Sequence, residues 1–481
     1  MLLDATHCYQ AFKTHDPRFD GRFFVGVSST RVYCRPVCAV KTPKRENCRF
    51  FPSAAAAESA GFRPCLRCRP ELAPGNAGID ARARLAQTAA GLIEDGLLHD
   101  SGIDGLAARL GVTDRHLRRV FRTEFGVSPV AFVQTQRLLL AKRLLTDTTM
   151  SMTQVAMASG FGSLRRFNAL LRTRYRFSPS DLRRRVGGPH PSDVLTFELG
   201  YRPPLEWDAL LSFLGRRAIE GVECIDGARY ARTVHIEKGG KRHSGWIAAR
   251  LAKRKAAIEL QVSGSLGAAV PAVLGRAKRL LDLSCDPAQI ALALGPLAAR
   301  RPGLRLPGAY DGFELAVRAI LGQQITVKAA RTLAGRFAVA FGESIETPVP
   351  SLRWLFPTAQ RVAALKASDV AAIGVVGTRA NAIVSLARAV CAGGLALDPG
   401  AEVAATLERL RTLPGIGEWT AQYIAMRALS WPDAFPHTDH GVLKALGERD
   451  ARKALARASA WQPWRAYAVM HLWRSLEEPN R

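Results

Sequence analysis

Two groups of residues in this 481-residue chain have types and spacings that suit chemistry. Towards the carboxyl end, the segment LPGIG holds Gly415 and Gly417, and Asp439 follows 22 residues beyond Gly417. Glycines in a turn ahead of a helix leave backbone N–H groups open to an anion such as phosphate. A lone carboxylate after a proline-containing loop can stabilise a positive charge that develops during a reaction. The spacing predicts a catalytic acid beside a DNA-binding turn.

The second group is a set of four cysteines near the amino end. Two close pairs are separated by 26 residues. The four are Cys34, Cys38, Cys65 and Cys68. Each short loop can offer two thiolates to one ion, which is the arrangement of a tetrahedral zinc site. Six of the nine cysteines fall within the first 68 residues, and such clustering in a long intracellular chain favours a metal over disulfides. Cys8 and Cys48 are expected to be buried free thiols.

Length, composition and charge limit the classes of protein to which this chain can belong. The chain is 48% hydrophobic and carries a formal net charge of +27. Its length suggests about three or four domains. It lacks an apolar run of about 18 residues and a signal-peptide pattern at its start, which predicts a cytoplasmic, nucleoid-associated protein with no membrane partner. The charge favours a polyanionic partner such as nucleic acid, although an ordinary solvated basic surface would give the same net charge.

Stretches rich in proline and glycine at residues 71–80 and 186–191 predict linkers. The expected fold is multidomain and mainly α with α+β parts. The predicted domains are a zinc domain at 1–75, a double helix-turn-helix domain at 81–186, an α+β sheet domain at 192–303, and an all-α helix-hairpin-helix domain at 304–481.

A near-repeat within the second domain aligns residues 106–111 with 155–160. Each copy predicts two short helices around a glycine turn, with the second helices at 113–121 and 163–171. Between residues 101 and 190, sixteen Arg and Lys residues stand against five Asp and Glu residues, a net charge of +11, which favours DNA binding over an ordinary helical bundle. The candidate DNA-facing residues are Arg115, Arg118, Arg119, Arg165, Arg166 and Asn168.

The carboxyl-terminal motif GIGEWTAQYIAMR, followed by FPHTD, resembles the helix-hairpin-helix DNA glycosylases of the AlkA type (3-methyladenine glycosylase II). The resemblance implies that Asp439 is catalytic, that Gly415 and Gly417 contact DNA, and that an inserted side chain comes from the GQQ segment. The implied pocket residues are Trp419, Tyr423, Trp473 and Gln324. The alternatives for them are an ordinary core for Tyr423 and a surface glutamine for Gln324.

Three features of the sequence bear on the chemistry that this resemblance implies. Trp419 stands where bifunctional relatives carry the lysine that attacks the sugar, so a monofunctional enzyme is expected. No cysteine follows Cys391, so an iron–sulfur cluster is not expected and the glycosylase domain should need no cofactor. His440 replaces a more familiar leucine after the acid, and it either tunes the carboxylate or lies at the surface.

The amino-terminal text FFVGVSSTRVYCRPVC, with GFRPCLRCRP after it, resembles the zinc domain of the Ada adaptive-response protein. That resemblance implies that Cys34 accepts a methyl group from DNA methylphosphotriesters. The near-repeat resembles the AraC/XylS regulators, and the sheet domain resembles the part that precedes the catalytic domain of AlkA-type enzymes.

Together the resemblances imply alkylation repair joined to its own regulation, with one Zn²⁺ as cofactor. The implied partners are double-stranded DNA, both damaged and promoter, and RNA polymerase. One alternative is a transcription regulator whose carboxyl-terminal half only binds damaged DNA. Another is a repair enzyme whose amino-terminal half only tethers it to DNA.

Overall fold

The computed structural model describes residues 4–75, 81–95, 98–185 and 193–477. In chain order they form a cysteine-rich unit, a helical unit, an antiparallel sheet with flanking helices, and a larger helical unit. The predicted linker at 186–191 and residues 76–80 of the other linker lie outside the described residues.

The first unit is a four-stranded sheet with two helices. Its elements are α1 (Ala5–Lys13), β1 (Phe24–Val27), β2 (Val32–Cys34), β3 (Cys48–Phe51), α2 (Ala54–Ser59) and β4 (Arg63–Pro64), with 3₁₀ turns at Pro17–Phe19, Arg45–Asn47 and Pro70–Leu72. The strand order is β3-β1-β2-β4, and only the β2–β4 pair is parallel. Side chains alternate along a strand, so Tyr33 and Cys34 of β2 belong to two different buried clusters.

The second unit is helical. Its helices are α3 (Ala81–Glu94), α4 (Leu98–Arg109), α5 (Asp114–Phe125), α6 (Pro129–Asp147), α7 (Met152–Ala158), α8 (Leu164–Tyr175) and α9 (Pro179–Arg185). Thr113 and Ser163 cap α5 and α8, each accepting a hydrogen bond from a backbone N–H in the first turn. Both predicted second helices are therefore confirmed at their starts. They end at Phe125 and Tyr175, one turn later than the sequence predicted.

The third unit is built on a five-stranded antiparallel sheet in the order β5-β9-β8-β7-β6. Its elements are β5 (Val194–Gly200), α10 (Trp207–Arg216), β6 (Glu223–Asp226), β7 (Arg229–Lys238), β8 (Lys241–Leu251), β9 (Ala257–Ser263), a 3₁₀ turn at Gly264–Ala269, α11 (Val270–Leu280), α12 (Pro287–Leu294) and α13 (Pro296–Ala299). The inward side chains of this sheet join a core that includes the buried face of α10.

The last unit is almost entirely helical. Its elements are α14 (Gly312–Leu321), α15 (Val327–Phe341), β10 (Glu343–Ser344), β11 (Trp354–Leu355), α16 (Ala359–Ala363), α17 (Ala367–Ala371), α18 (Gly377–Cys391), α19 (Val403–Thr412), α20 (Glu418–Arg427), α21 (His440–Leu446), α22 (Ala451–Ala458), a 3₁₀ turn at Ser459–Trp461, and α23 (Arg465–Glu477). Helix α14 packs between α18 and α20, while α21 packs on α23. Among the described helices, none is long and apolar enough to cross a bilayer.

Packing between the units is extensive. One continuous core includes Leu138 on α6 and Leu171 on α8 together with the sheet and the last helical unit. A separate core holds α3 and α5. The second helix-turn-helix copy is therefore packed onto the sheet unit.

The linker predicted at residues 71–80 begins too early. The Glu71 carboxylate is buried and accepts hydrogen bonds from Lys142 Nζ at 2.6 Å and 2.7 Å, and Leu72 is buried. The Lys142 ammonium is almost fully enclosed as well. A buried charge pair must be matched to avoid a large desolvation cost, so Glu71 is part of the packing between the first two units rather than part of a linker.

Candidate functional site

Asp439 is held at the amino end of α21, where it serves as the N-cap. Its Oδ1 accepts a hydrogen bond from the Val442 backbone N–H at 2.9 Å and from Trp473 Nε1 at 2.8 Å. Its Oδ2 accepts one from Trp419 Nε1 at 2.7 Å. The carboxylate is half-buried, and three N–H donors fix its orientation while leaving it a charged group that can face a substrate.

The two tryptophans that hold Asp439 also form a cleft of aromatic rings. Trp419 and Tyr423 stack with ring centroids 5.3 Å apart and planes 9° apart. Trp473 lies 6.3 Å from Tyr423, at 45°. All three rings are partly exposed. Such faces can stack on a planar base and attract a positive charge through their π-electrons. The predicted pocket residues Trp419, Tyr423 and Trp473 are thus brought together around Asp439.

Beneath this cleft lies a layer that the sequence reasoning missed. The Arg427 guanidinium donates to the Tyr423 hydroxyl at 2.7 Å, to the Gly308 carbonyl at 3.1 Å and to the Pro307 carbonyl. Burial by itself would raise the pKa of Tyr423, but nearby arginines, Arg427 first, offset that effect and lower the pKa below its ordinary value. Two of these partners, Pro307 and Gly308, are more than 100 residues away from Arg427 along the chain, and no local motif signals such a contact.

Phe213 on α10 belongs to the same layer. Two guanidinium groups lie over its ring, those of Arg217 at 3.8 Å and Arg427 at 5.0 Å from its centroid. The sheet unit therefore contributes packing directly under the aromatic cleft. The sequence alone indicates no site role for this unit.

The predicted DNA-binding turn joins α19 to α20. Gly415 has φ of +78°, a conformation that disfavours residues with a Cβ. Gly417 is the N-cap of α20, and an added Cβ there would meet no atom within 4 Å. Both glycines are exposed, so the free N–H groups at the start of α20 are open to a phosphate. Arg411 pairs with Glu418 beside the turn, Nε to Oε2 at 2.7 Å.

The GQQ segment lies against this turn. The Gln323 side-chain amide donates to the Gly415 carbonyl at 2.9 Å and to Thr420 Oγ1 at 2.9 Å. Gln324, the predicted inserted residue, is exposed and has φ of +53°. Gln323 was not singled out from the sequence, although it is the residue that connects the two predicted DNA-binding segments. His440 is exposed at the first position of α21.

The four paired cysteines converge at the other end of the chain. The Sγ atoms of Cys34, Cys38, Cys65 and Cys68 all lie within 4.8 Å of one another. Four thiolates that close together suit a tetrahedral Zn²⁺, whose bonds to sulfur are about 2.3 Å long. Cys8 and Cys48 are buried outside this cluster, as expected.

The thiols of this cluster differ in their surroundings. The Arg35 backbone N–H donates to Cys68 Sγ at 3.3 Å. The Arg35 guanidinium donates to the Cys68 carbonyl at 3.1 Å and pairs with Asp20. Cys34 is 3% exposed. The loop around Cys68 is thereby fixed by the residue that follows Cys34.

The candidate DNA-facing side chains of the helical unit are mostly exposed. Arg115, Arg118, Arg119, Arg165 and Arg166 are exposed on α5 and α8, and Asn168 is half-buried. On α5, Arg118 pairs with Asp114 at 2.7 Å and Arg119 contacts His116 at 3.0 Å. The apolar faces of both helices are buried, which leaves their basic faces available to a groove.

An exposed helix-hairpin-helix turn, an N-capping aspartate and an aromatic cleft define a DNA glycosylase of the helix-hairpin-helix class, here joined to a four-cysteine unit and two helix-turn-helix units. Sequence models of four families match in the same order. They are the metal-binding domain of Ada at residues 7–71, a helix-turn-helix domain at 106–185, the AlkA N-terminal domain at 196–311, and the HhH-GPD superfamily of base excision DNA repair proteins at 317–464.

Two relatives identified by sequence agree with these matches. A probable bifunctional transcriptional activator/DNA repair enzyme AlkA of Mycobacterium tuberculosis is 37% identical over 99% of this chain and 97% of its own length. The chain therefore belongs to the family of AlkA-type bifunctional transcriptional activators and DNA repair enzymes. The DNA-3-methyladenine glycosylase 2 of Escherichia coli is 35% identical over 58% of this chain and 96% of its own. A 3-methyladenine DNA glycosylase from Archaeoglobus fulgidus superposes with a TM-score of 0.49 at 19% identity, over 58% of this chain and 98% of its own.

Proposed function

We propose that the carboxyl-terminal half excises alkylated purines such as 3-methyladenine from duplex DNA, with Asp439 as the catalytic acid. One observation carries the proposal: the same two indoles that hold the Asp439 carboxylate also line the aromatic cleft. A base stacked in this cleft would place its sugar beside a fixed negative charge. That charge stabilises the sugar as it becomes oxocarbenium-like while the glycosidic bond breaks.

The aromatic cleft suits a cationic base. Alkylation at a ring nitrogen gives the purine a positive charge and makes it a good leaving group, so orientation and one carboxylate are the main requirements. Trp419 and Trp473 offer electron-rich faces to that charge. Recognition by charge and stacking, rather than by a single hydrogen-bond pattern, would admit several alkylated purines.

The reaction should end at an abasic site. Trp419, at the position of the lyase lysine in bifunctional relatives, has no amine to attack the sugar. With duplex DNA containing 7-methylguanine, we expect base release, intact strands until alkali is added, and no adduct trapped by borohydride. A trapped adduct would show a lyase. Absence of base release would favour the alternative in which this half only binds damaged DNA.

For the amino-terminal half, we propose that Cys34 accepts a methyl group from a methylphosphotriester. Zn²⁺ held by Cys34, Cys38, Cys65 and Cys68 would keep the thiols deprotonated and nucleophilic. The Cys34 sulfur would form a bond to the methyl carbon as the carbon–oxygen bond of the ester breaks, and the phosphate leaves as a diester anion. The Arg35 N–H bond to Cys68 disfavours Cys68 as the acceptor, because a hydrogen-bonded thiolate is a weaker nucleophile.

This transfer also changes the charge of the unit. Four thiolates and one Zn²⁺ carry −2 together, and the thioether product carries −1, which lessens repulsion from the DNA backbone. Tighter promoter binding by α5 and α8 after methylation would activate transcription. Recruitment of RNA polymerase belongs to the same proposal.

Mass spectrometry and DNA titration test the regulatory half. After exposure to DNA bearing methylphosphotriesters, we expect one methyl on Cys34, one zinc per chain, and tighter binding of specific DNA with a steep salt dependence. A methyl group on another cysteine would refute the assignment of Cys34 as the methyl acceptor. Equal affinity before and after methylation would mean that the amino-terminal half only tethers the enzyme.

A further inference from the structure

The short helix α2 of the cysteine-rich unit contacts the last residue of both predicted DNA-reading helices. At its start, Ser53 Oγ donates to the backbone carbonyl of Phe125, the last residue of α5, at 2.6 Å. Near its end, the Glu58 carboxylate accepts a hydrogen bond at 3.0 Å from the hydroxyl of Tyr175, the last residue of α8. One helix thus touches both helix-turn-helix copies at matching positions.

Glu58 is the centre of a buried cluster of hydroxyl groups. Its Oε1 accepts from Tyr33 and Tyr175, both at 3.0 Å, and its Oε2 accepts from Thr135 Oγ1 at 3.1 Å. Glu58 is 4% exposed, and each of the three donors is 3% exposed or less. Burial raises the pKa of Glu58 to about 7, although its hydrogen bonds oppose that shift. A buried carboxylate depends on its donors, so a shift of any one of these hydroxyl groups would cost Glu58 a hydrogen bond.

The three hydroxyl groups come from three different elements. Tyr33 lies on β2, Thr135 on α6 between the two helix-turn-helix copies, and Tyr175 on α8. Beside them, Arg174 donates to the Glu58 backbone carbonyl at 3.4 Å. The side chain of Glu58 therefore connects the cysteine-rich sheet to the helix-turn-helix unit through a single carboxylate.

Tyr33 immediately precedes Cys34 on the same strand. The Cys34 side chain belongs to a cluster with Phe12 and Phe23, while the Tyr33 side chain belongs to a different cluster with Leu139 of α6. The Tyr33 carbonyl also accepts from the Cys65 backbone N–H at 3.0 Å. Strand β2 is thus shared by the thiol cluster on one face and the Glu58 cluster on the other.

A methyl group on Cys34 must displace some of these neighbours. Cys34 is 3% exposed, and closely packed interiors do not absorb an added methyl group without shifts of side chains or backbone. A shift of β2 moves Tyr33, and with it the hydroxyl group that donates a hydrogen bond to Glu58. The route from the thiol to α8 then runs through Tyr33, Glu58 and Tyr175.

We propose that Glu58 is a positioning residue that couples the methylation of Cys34 to the placement of the two DNA-reading helices. The coupling rests on the proposed role of Cys34 as methyl acceptor. It adds a mechanical contribution to the loss of negative charge. A switch based on charge alone would be indifferent to a neutral hydroxyl group on Tyr175, which lies on a different unit from the four cysteines, whereas the mechanical coupling requires that hydroxyl group.

The test uses the full-length, zinc-loaded chain and three tyrosine-to-phenylalanine variants. Tyr175→Phe and Tyr33→Phe each remove one hydroxyl group from Glu58. Tyr9→Phe is the matched control, because its hydroxyl group donates to the Pro43 carbonyl within the cysteine-rich unit and does not reach the helix-turn-helix unit. Zinc content, methyl incorporation at Cys34 and base release are measured first, and all three variants are expected to match the wild type.

The decisive quantity is the ratio of DNA affinities after and before methylation. The probe is a duplex selected from a random-sequence library by the methylated wild-type protein. We expect Tyr175→Phe and Tyr33→Phe to lower this ratio by about three- to tenfold, the range for the loss of one buried hydrogen bond, and Tyr9→Phe to retain it. The double variant should lower it no further than either single variant, because either change interrupts the same route.

The outcomes separate the two proposals. A wild-type ratio near one would overturn the methylation switch and the coupling together. A large wild-type ratio that Tyr175→Phe and Tyr33→Phe both retain would overturn the coupling alone and leave a switch that acts through charge. If one phenylalanine variant binds zinc poorly, the affinity ratio of the other variant decides the outcome, because both hydroxyl groups lie on the same proposed route.

Discussion

The Asp439 carboxylate has a donor on each oxygen, and the two indole donors stand on different helices, α20 and α23. This arrangement divides the roles of the aromatic residues. Tyr423 contributes a ring face only, whereas Trp419 and Trp473 contribute a ring face and an N–H group. The orientation of the charge therefore depends on the same residues that would hold the base.

Replacing Trp473 with phenylalanine separates these roles. Trp473→Phe keeps an aromatic face but removes the N–H donor to Asp439 Oδ1. We expect single-turnover base release to slow about tenfold, the effect of losing about 1.4 kcal/mol of orientation by a charge-assisted hydrogen bond. Trp461→Phe, at a partly buried tryptophan in a 3₁₀ turn, is the control. An unchanged rate in Trp473→Phe would show that Trp419 and the N-cap bond alone position the carboxylate.

Individual site residues could be predicted from the sequence where they belong to strong motifs. The residues that hold them in place could not. The paired cysteines and the hairpin carry fixed spacings, so the cluster of four thiols and the exposed Gly415 could be anticipated. Gln323, Phe213 and Arg427 could not, because their roles arise from contacts between segments that lie about 90 to 210 residues apart, which leave no periodicity or spacing in the sequence.

The two glycines of the turn between α19 and α20 differ in backbone conformation and in the space around them. Gly415 needs a positive φ, and an added Cβ would lie 3.2 Å from the Ala382 Cβ. Gly417 has an extended backbone and open space around it. The first glycine thus serves the fold of the turn, and the second leaves room for a DNA backbone.

Alanine at each position should therefore give different results. Gly415→Ala should lower the free energy of unfolding by about 1 to 2 kcal/mol, the cost of a left-handed conformation for a residue with a Cβ. Gly417→Ala should leave unfolding unchanged yet weaken binding to a duplex with an abasic site. Chemical denaturation and DNA titration measure the two effects. Normal DNA affinity in Gly417→Ala would place the phosphate elsewhere.

Helix α23 contains a buried titratable group. His471 is 7% exposed, and burial, with a smaller contribution from Arg301, lowers its pKa to about 4. A histidine with a lowered pKa in the folded state costs stability as the pH falls below its ordinary value of about 6.5, because the unfolded chain takes up the proton first. At pH 5 the cost is about 2 kcal/mol.

His471→Gln removes this titration. Between pH 7 and pH 5, we expect the wild type to lose about 2 kcal/mol more of unfolding free energy than the variant, measured by denaturation of the zinc-loaded chain. The comparison between the two proteins cancels the effects of all other groups. If both proteins lose the same unfolding free energy between pH 7 and pH 5, the pKa of His471 is not lowered in the folded state.

Element boundaries followed from the sequence where local chemistry sets them. Thr113 and Ser163 cap α5 and α8, and such caps are recognisable without tertiary information. The start of the first linker did not follow, because Glu71 is ordered by a lysine on α6 rather than by its neighbours in the chain.

At the scale of the whole molecule, the sensing and repair halves form one packed body. The second helix-turn-helix copy shares a core with the sheet and the glycosylase helices. Ion pairs such as Arg22 with Asp286 and Arg109 with Asp398 also connect the halves. A chain that detects phosphate methylation and removes methylated bases would respond to two products of the same alkylating agents.

The proposed cleavage of the glycosidic bond depends on the charge of Asp439. Asp439→Asn keeps the size of the side chain and much of its hydrogen bonding, but it removes the charge. We measure single-turnover release of 3-methyladenine from duplex DNA by the full-length chain, with DNA affinity determined in parallel. We expect the rate to fall by more than about a hundredfold, equivalent to about 3 kcal/mol of transition-state stabilisation, with DNA affinity largely retained. Release at the wild-type rate by Asp439→Asn would refute Asp439 as the catalytic acid.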